Sequence, residues 1–270
     1  MSDISGTPGP DTIQGTGGAD NISGGGGADV INAGGGADVV WGGAGADEIN
    51  GGAGADTLYG GTGHDTIMGG DQNDLIFGES GDDSLNGGSG DDYIYGGYGI
   101  DLIVGGAGND VIDGSDGGDE IYGGLGQDMI LGGYGDDFID GGDGQDEIFG
   151  NFGADIVLAG AGDDLVNAGE GDDEVYLGIG NDRYVYDFGP NIGYFDLADG
   201  GDGSQDTLHL NFTQAQWAQL GVQDDVAAFS AYLGTPENAA NEPYSFSVLG
   251  LEVYDFEILQ VFVDGEQVLV

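Results

Sequence analysis

The chain has 270 residues, of which 63 are glycine, 51 are Asp or Glu and a single one, Arg183, is basic, for a formal charge of −50. Phosphate backbones and anionic membrane surfaces are held by clustered Lys and Arg, which excludes direct binding to nucleic acid or to such a surface. With no cysteine there are neither disulfides nor thiolate metal sites, and a glycine-rich polyanion stays unfolded unless something neutralises its acids.

From Met1 to Gly15 there is no charged n-region followed by an apolar core, so no secretory leader of that kind is expected. No apolar run approaches the length of a membrane span. An aspartate then falls on every ninth position without insertion or deletion: Asp11, Asp20, Asp29, Asp38, Asp47, Asp56, Asp65, Asp74, Asp83, Asp92, Asp101, Asp110, Asp119, Asp128, Asp137, Asp146, Asp155, Asp164, Asp173 and Asp182. Two residues after each stands an aliphatic side chain, from Ile13 and Ile22 to Val175, replaced only by Tyr184. Two residues before each stands glycine, except at Gln72. The places four and five before are mostly glycine too, with departures at Thr7, Thr16, Glu79, Ser115 and Asn151 and at Ala33, Ala159, Ala168 and Leu177. A short internal period of this kind predicts a stacked solenoid.

The unit reads G-G-x-G-x-D-x-U-x, with U aliphatic. Its first six residues are turn, because glycine tolerates φ > 0 and lets carbonyls crowd together. The last three, such as Glu48-Ile49-Asn50, are a minimal strand whose middle residue faces opposite to its neighbours. Two units make one coil of 18 residues, so Asp11 stacks under Asp29, Asp20 under Asp38, and so on to Asp164 under Asp182. Carboxylates held about 4.8 Å apart repel unless a cation intervenes. Ca²⁺ takes six to eight oxygens in tolerant geometry, whereas Mg²⁺ demands a tighter octahedron. Zinc or copper would want His or Cys, and only His64 and His209 exist. The vertical pairs allow up to about 18 calcium ions.

Residues 6–187 resemble the RTX (repeats-in-toxin) family, whose nonapeptide this is. The resemblance implies an all-β fold: a right-handed parallel β-roll with two repeats per coil and about ten coils. It also implies that ions sit between turns two units apart, with the ladder aspartates as side-chain ligands and turn carbonyls completing the shell. The departures at Thr7, Thr16, Gln72 and Leu177 are expected to lower occupancy locally.

After Asp182 the pattern fades, with a degenerate unit carrying one inserted residue at 200–208. Glycine then thins. Residues 213–222 and 224–233 read as helices opening at Thr213 and Asp224, residues of N-cap type. The segment from Ser245 to Val270 reads as strands ending in a hairpin about Asp264-Gly265. The expected organisation is a roll over 1–187 and a small mixed α/β cap over 188–270, which shields the last coil. By resemblance, that segment also carries the export signal of a type I secretion substrate.

Residues flanking U point outward. On one face they include Trp41, Tyr59, Phe77, Tyr95, Leu131 and Phe149, a candidate interaction face for a second copy, a polysaccharide or another surface, or else a reinforcement of neighbouring strands. Neither G-x-S-x-G nor H-E-x-x-H occurs, so no enzyme is expected. The expected function is that of a secreted calcium-binding protein, disordered at low calcium and folded outside the cell, with a surface, matrix or adhesion role. The alternatives are a non-catalytic piece of a larger secreted enzyme or toxin, and a membrane-active secreted protein.

Overall fold

The computed structural model describes residues 2–187, 195–203, 205–218, 222–233, 244–246, 251–254, 256 and 258–268. The chain forms two compact units, Met1–Phe138 and Ile139–Val270. Both are built from one coil, and the expected all-β parallel β-solenoid is what the sequence folds into.

In the first unit, six-residue strands alternate between two parallel sheets. On one, Val39–Ala44 pairs with Thr57–Thr62 in the register Val40↔Leu58 and Trp41↔Tyr59. On the other, Glu48–Ala53 pairs with Thr66–Asp71 through Ile49↔Ile67. A shift of two repeats per coil is what the nine-residue unit demands, since an odd number of units would put a strand on the wrong sheet. Thr12–Gln14 has the three residues anticipated, but most strands are longer, because the parallel ladder continues past the x-U-x triplet, as in Gly43↔Gly61 and Ala44↔Thr62.

The aliphatic columns form the core. Val40, Leu58, Ile76, Ile94 and Ile112 on one sheet and Ile31, Ile49, Ile67, Leu85 and Ile103 on the other are at most 1% exposed. A Cβ placed on Gly42 would sit 3.1 Å from the Ile49 Cδ1 methyl of the opposite sheet. A small residue at that place, glycine in most units and Ala33, Ala159 or Ala168 in three, lets the sheets close on each other.

The second unit is built from the same kind of coil, with Glu147–Phe152 paired with Leu165–Glu170 and Ile156–Ala161 paired with Glu174–Ile179. The parallel ladders then extend past the fading of the repeat. Arg183–Asp187 pairs with Thr207–Phe212, which pairs with Ile258–Val263. On the other sheet Glu174–Ile179 pairs with Asp196–Asp199, and that strand with Leu251–Tyr254. Each ladder ends on an antiparallel strand, Glu266–Val268 or Tyr244–Phe246, so the last edge does not offer a parallel template to another chain. Asp264 and Gly265 have φ of 51° and 80°, the two positive values of a tight hairpin turn.

Helix α1 (Gln214–Trp217) starts where expected: Gln216 N–H donates to Thr213 Oγ1 at 3.3 Å, and Thr213 N–H donates to Gln216 Oε1 at 2.6 Å, a capping box. Helix α2 (Val222–Leu233) begins two residues ahead of Asp224, which therefore lies in its first turn instead of capping it. Val226 and Phe229 are buried, with Phe229 against the Tyr244 ring at 5.0 Å. Among the described residues no helix is long and apolar enough to cross a membrane.

Candidate metal centre

The turn that joins the two sheets bends through left-handed residues. Gly43 and Gly45 have φ of 111° and 142°, and a Cβ on Gly45 would lie 2.0 Å from the Gly27 carbonyl of the stacked turn. The next residue but one is the ladder aspartate, and the bend turns its side chain inward. From Asp20 to Asp182 each is no more than 4% exposed.

The two carboxylate oxygens have different fates. Oδ1 is spent on the backbone: Asp29 N–H donates to Asp47 Oδ1, Asp47 N–H to Asp65 Oδ1 and Asp83 N–H to Asp101 Oδ1, each at 2.8 Å. In the second unit Asp146 N–H donates to Asp164 Oδ1 and Asp164 N–H to Asp182 Oδ1, again at 2.8 Å. Oδ2 is buried without a hydrogen-bond partner in Asp29, Asp38, Asp47, Asp56, Asp65, Asp74, Asp83, Asp92, Asp101, Asp110, Asp119, Asp164, Asp173 and Asp182. An orphaned charged oxygen repeated in this way is not a packing accident, because each would cost several kcal/mol if left so.

These oxygens face a shared space. The point a Cβ would occupy on Gly24 is 2.4 Å from Asp29 Oδ2 and 2.5 Å from the Gly42 carbonyl oxygen of the adjoining coil. At Gly51 the corresponding distances are 2.6 Å to Asp56 Oδ2 and 2.7 Å to Gly69 O. Glycine leaves that cradle open, whereas Ala33, Ala159, Ala168 and Leu177 put a side chain at the same repeat position before Asp38, Asp164, Asp173 and Asp182. The cradle is lined by hard oxygens, one carboxylate and one carbonyl per turn, and among the described residues no three His, Cys, Asp or Glu side chains converge as a metal cluster. A cation held here draws on main-chain carbonyls, which suits calcium and not zinc.

Among the described residues no Lys or Arg side chain reaches the ladder oxygens. The chain has no lysine, and Arg183 directs its guanidinium to His209 Nδ1 at 2.9 Å. Burial above all, with neighbouring carboxylates adding to it, pushes Asp74, Asp83, Asp119 and Asp164 up to about 7. Asp92, Asp101 and Asp110 rise to about 6 for the same leading reason.

Two ladder members escaped the sequence reading. Asp173 N–H donates to Asp196 Oδ1 at 3.3 Å and Asp182 N–H to Asp206 Oδ1 at 2.9 Å, so Asp196 and Asp206 take the next places although the period is broken. The surviving signal is the D-x-U triplet, Asp196-Leu197-Ala198 and Asp206-Thr207-Leu208, with Ala198 and Leu208 fully buried. Burial and the adjacent Asp173 raise Asp196 to about 8. Gln72 adopts the left-handed conformation in place of glycine, with φ 76°, and Asp74 beyond it keeps its orphaned Oδ2. Asp11 and Asp20 differ from the rest: Thr7 N–H and Thr16 N–H donate to their Oδ2 oxygens at 2.5 and 2.7 Å.

The outward aromatic residues lie on one sheet as expected. Trp41 is 44% exposed, while Tyr59, Phe77, Tyr95, Leu131 and Phe149 are half-buried. Trp41 and Tyr59 stack at 6.0 Å, Tyr59 and Phe77 at 5.0 Å, and Phe77 meets Tyr95 at 6.3 Å. Phe149 lines a recess of about 200 Å³ with Phe152, Asn167, Glu170 and Asp187, where pairing between neighbouring strands stops after Val166↔Tyr184. Apolar exposure is not confined to this sheet, since Val30, Met68 and Leu102 on the other are comparably open.

A parallel β-roll whose turns stack buried, uncompensated aspartates beside open carbonyls defines a calcium-binding repeat protein. The chain belongs to the RTX calcium-binding nonapeptide repeat family, whose four-copy pattern matches residues 5–40, 33–67, 59–94, 68–103, 95–130, 126–157 and 149–184. No curated protein matches the chain significantly. The family is a calcium-binding one and not a catalytic one.

Proposed function

We propose that this protein is exported without a stable fold and folds outside the cell by taking up calcium along the aspartate ladder. The observation that carries the reading is the buried, unpartnered Oδ2 of the ladder aspartates from Asp29 to Asp119, and of Asp164, Asp173 and Asp182, in a chain with a single basic residue. The ligands are the Oδ2 oxygens together with turn carbonyls such as those of Gly42 and Gly69. Calcium, when bound, supplies the positive charge and the coordination that these oxygens lack. The chain's contribution is to hold them in register through the Asp N–H to Asp Oδ1 bonds, and to keep water out with the aliphatic columns. Extracellular modules bind calcium at about 10⁻⁴–10⁻³ M, above cytosolic levels, so binding free energy becomes folding free energy only after export. Among secreted proteins of this kind a type I export route and a surface or matrix role are the proposed setting.

Far-UV circular dichroism from chelator to about 10 mM Ca²⁺, with Mg²⁺ as control, tests this. A cooperative coil-to-β transition with calcium alone supports it. A β spectrum already complete in chelator overturns it.

The stacked rings of Trp41, Tyr59, Phe77 and Tyr95 favour a second role, adhesion through this sheet. Cosedimentation with insoluble polysaccharides and analytical ultracentrifugation, for the parent and for Trp41→Ala/Tyr59→Ala, separate sugar binding and self-association from strand reinforcement. Identical behaviour of the two proteins in both assays rejects the adhesive role.

A further inference from the structure

We infer that the first two turns of the roll take no calcium, because Thr7 and Thr16 provide from within the chain what an ion provides at the turns of Asp29 and beyond. The inference rests on the reading of the later aspartates as calcium ligands and sharpens it at one end.

The observations come from the hydrogen bonds, the backbone and the residue type. Asp11 Oδ2 accepts from Thr7 N–H at 2.5 Å and from the Thr7 hydroxyl at 2.8 Å. Asp20 Oδ2 accepts from Thr16 N–H at 2.7 Å and from the Thr16 hydroxyl at 2.8 Å. The hydroxyl proton has a second acceptor in each turn, the Gly9 or Gly18 carbonyl at 3.2 or 3.0 Å. The same oxygen is orphaned in Asp29 and Asp38, the next ladder members on the two edges.

The backbone explains the difference. Glu79, Ser115 and Asn151 stand at the repeat position of Thr7 and Thr16, and all three adopt the left-handed conformation, with φ of 73°, 81° and 76°. Thr7 and Thr16 do not. A β-branched residue is strained there, so threonine turns the peptide the other way and its N–H meets the carboxylate. Two donors on one oxygen satisfy the charge locally, and the site loses its need for a cation. Consistently, the threonine hydroxyl and amide hold the Asp20 carboxyl down to about 2, although burial opposes them, whereas the mid-ladder carboxyls are raised. A consequence is that the first coil closes without calcium and offers a preformed end on which the next turns can stack.

Bound calcium is counted on the full chain at saturating Ca²⁺ by equilibrium dialysis with radiolabelled calcium, with circular dichroism on each sample to verify the fold. Thr7→Gly/Thr16→Gly restores the turn found elsewhere and is expected to bind two more ions than the parent. Asp11→Asn/Asp20→Asn is expected to bind the same number as the parent. An unchanged or lower count in the threonine variant, or a loss of two ions in the asparagine variant, overturns the inference. If the glycine substitutions unfold the first coil, the asparagine arm still decides. Asp47→Asn/Asp65→Asn serves as the control for the underlying reading, and it must lose ions. A parent that binds none, or a control that loses none, rejects calcium ligation by the ladder itself and not the special role of threonine.

Discussion

At the scale of single residues, the division of labour within each carboxylate has an unusual corollary. From Asp29 to Asp119, Oδ1 holds the coil to its neighbour, while Oδ2 is left with a charge that no hydrogen bond stabilises. Asp83→Asn keeps an oxygen for the Asp65 N–H bond at 2.8 Å and replaces the orphaned Oδ2 by a neutral amide. In chelator the variant is expected to be more structured than the parent, because a buried amide costs less than a buried unpaired charge. In calcium it is expected to be less stable, with the midpoint of the titration raised several-fold. Opposite signs in the two media, read by circular dichroism on the same samples, are the signature, and a loss of structure in both would contradict it. How far this was legible is instructive. The nine-residue period located every aspartate from Asp11 to Asp182, but not which oxygen is spoken for, since that depends on where the backbone N–H of the coil below points. Asp196 and Asp206 were hidden because their partners lie 23 and 24 residues away instead of 18.

At the scale of the strand and its turn, glycine and aliphatic positions fail in different ways. Ile94→Ala removes a fully buried side chain and is expected to cost about 2–5 kcal/mol by cavity formation, measured by denaturant unfolding at fixed calcium. Gly87→Ala instead puts a methyl group 2.3 Å from Asp92 Oδ2 and 2.6 Å from the Gly105 carbonyl. It is expected to lower the number of ions bound, which Ile94→Ala at saturating calcium does not, and equilibrium dialysis distinguishes them. Tyr59→Ala breaks ring contacts to both Trp41 and Phe77, each contributing about 0.5–1.5 kcal/mol. The sheet assignment of these rings was legible from parity alone, as was the capping box at Thr213. The start of α2 at Val222 was not, since Asp224 resembles an N-cap in sequence and the preceding apolar residue fits a helix equally well.

At the scale of the whole molecule, the raised carboxyls set an acid dependence with two opposite limbs. The folded, metal-free chain binds protons on Asp74, Asp83, Asp119 and Asp164 up to about pH 7, whereas an unfolded aspartate releases them near 3.8. The folded form therefore holds more protons between these limits, and its stability rises as pH falls from about 7 and is lost as pH rises through that value. Chelated protein is accordingly expected to gain β structure on acidification from pH 8 to pH 5. With calcium present, protons compete for the same oxygens, so the calcium midpoint is expected to shift upward over the same range. Titrations at pH 8, 7, 6 and 5 by circular dichroism check both limbs, and a calcium midpoint independent of pH would show that the buried carboxylates are not the ligands.

The ladder bonds join residues 18 apart in the chain, from Asp29 and Asp47 to Asp164 and Asp182. Within each unit, a coil linked in this way anchors to the one immediately before it, and the sequence distance to be closed does not grow as more of that unit is added. Contact order stays fixed with length, so assembly can proceed as a moving front whose cost per step is constant. Under tension the same feature runs in reverse. Single molecules pulled between their ends in calcium are expected to give way in even increments of about 60 Å, the contour of one coil. Lowering the calcium concentration would reduce the force of each rupture while leaving the length of each step unchanged, and in chelator the steps are expected to disappear.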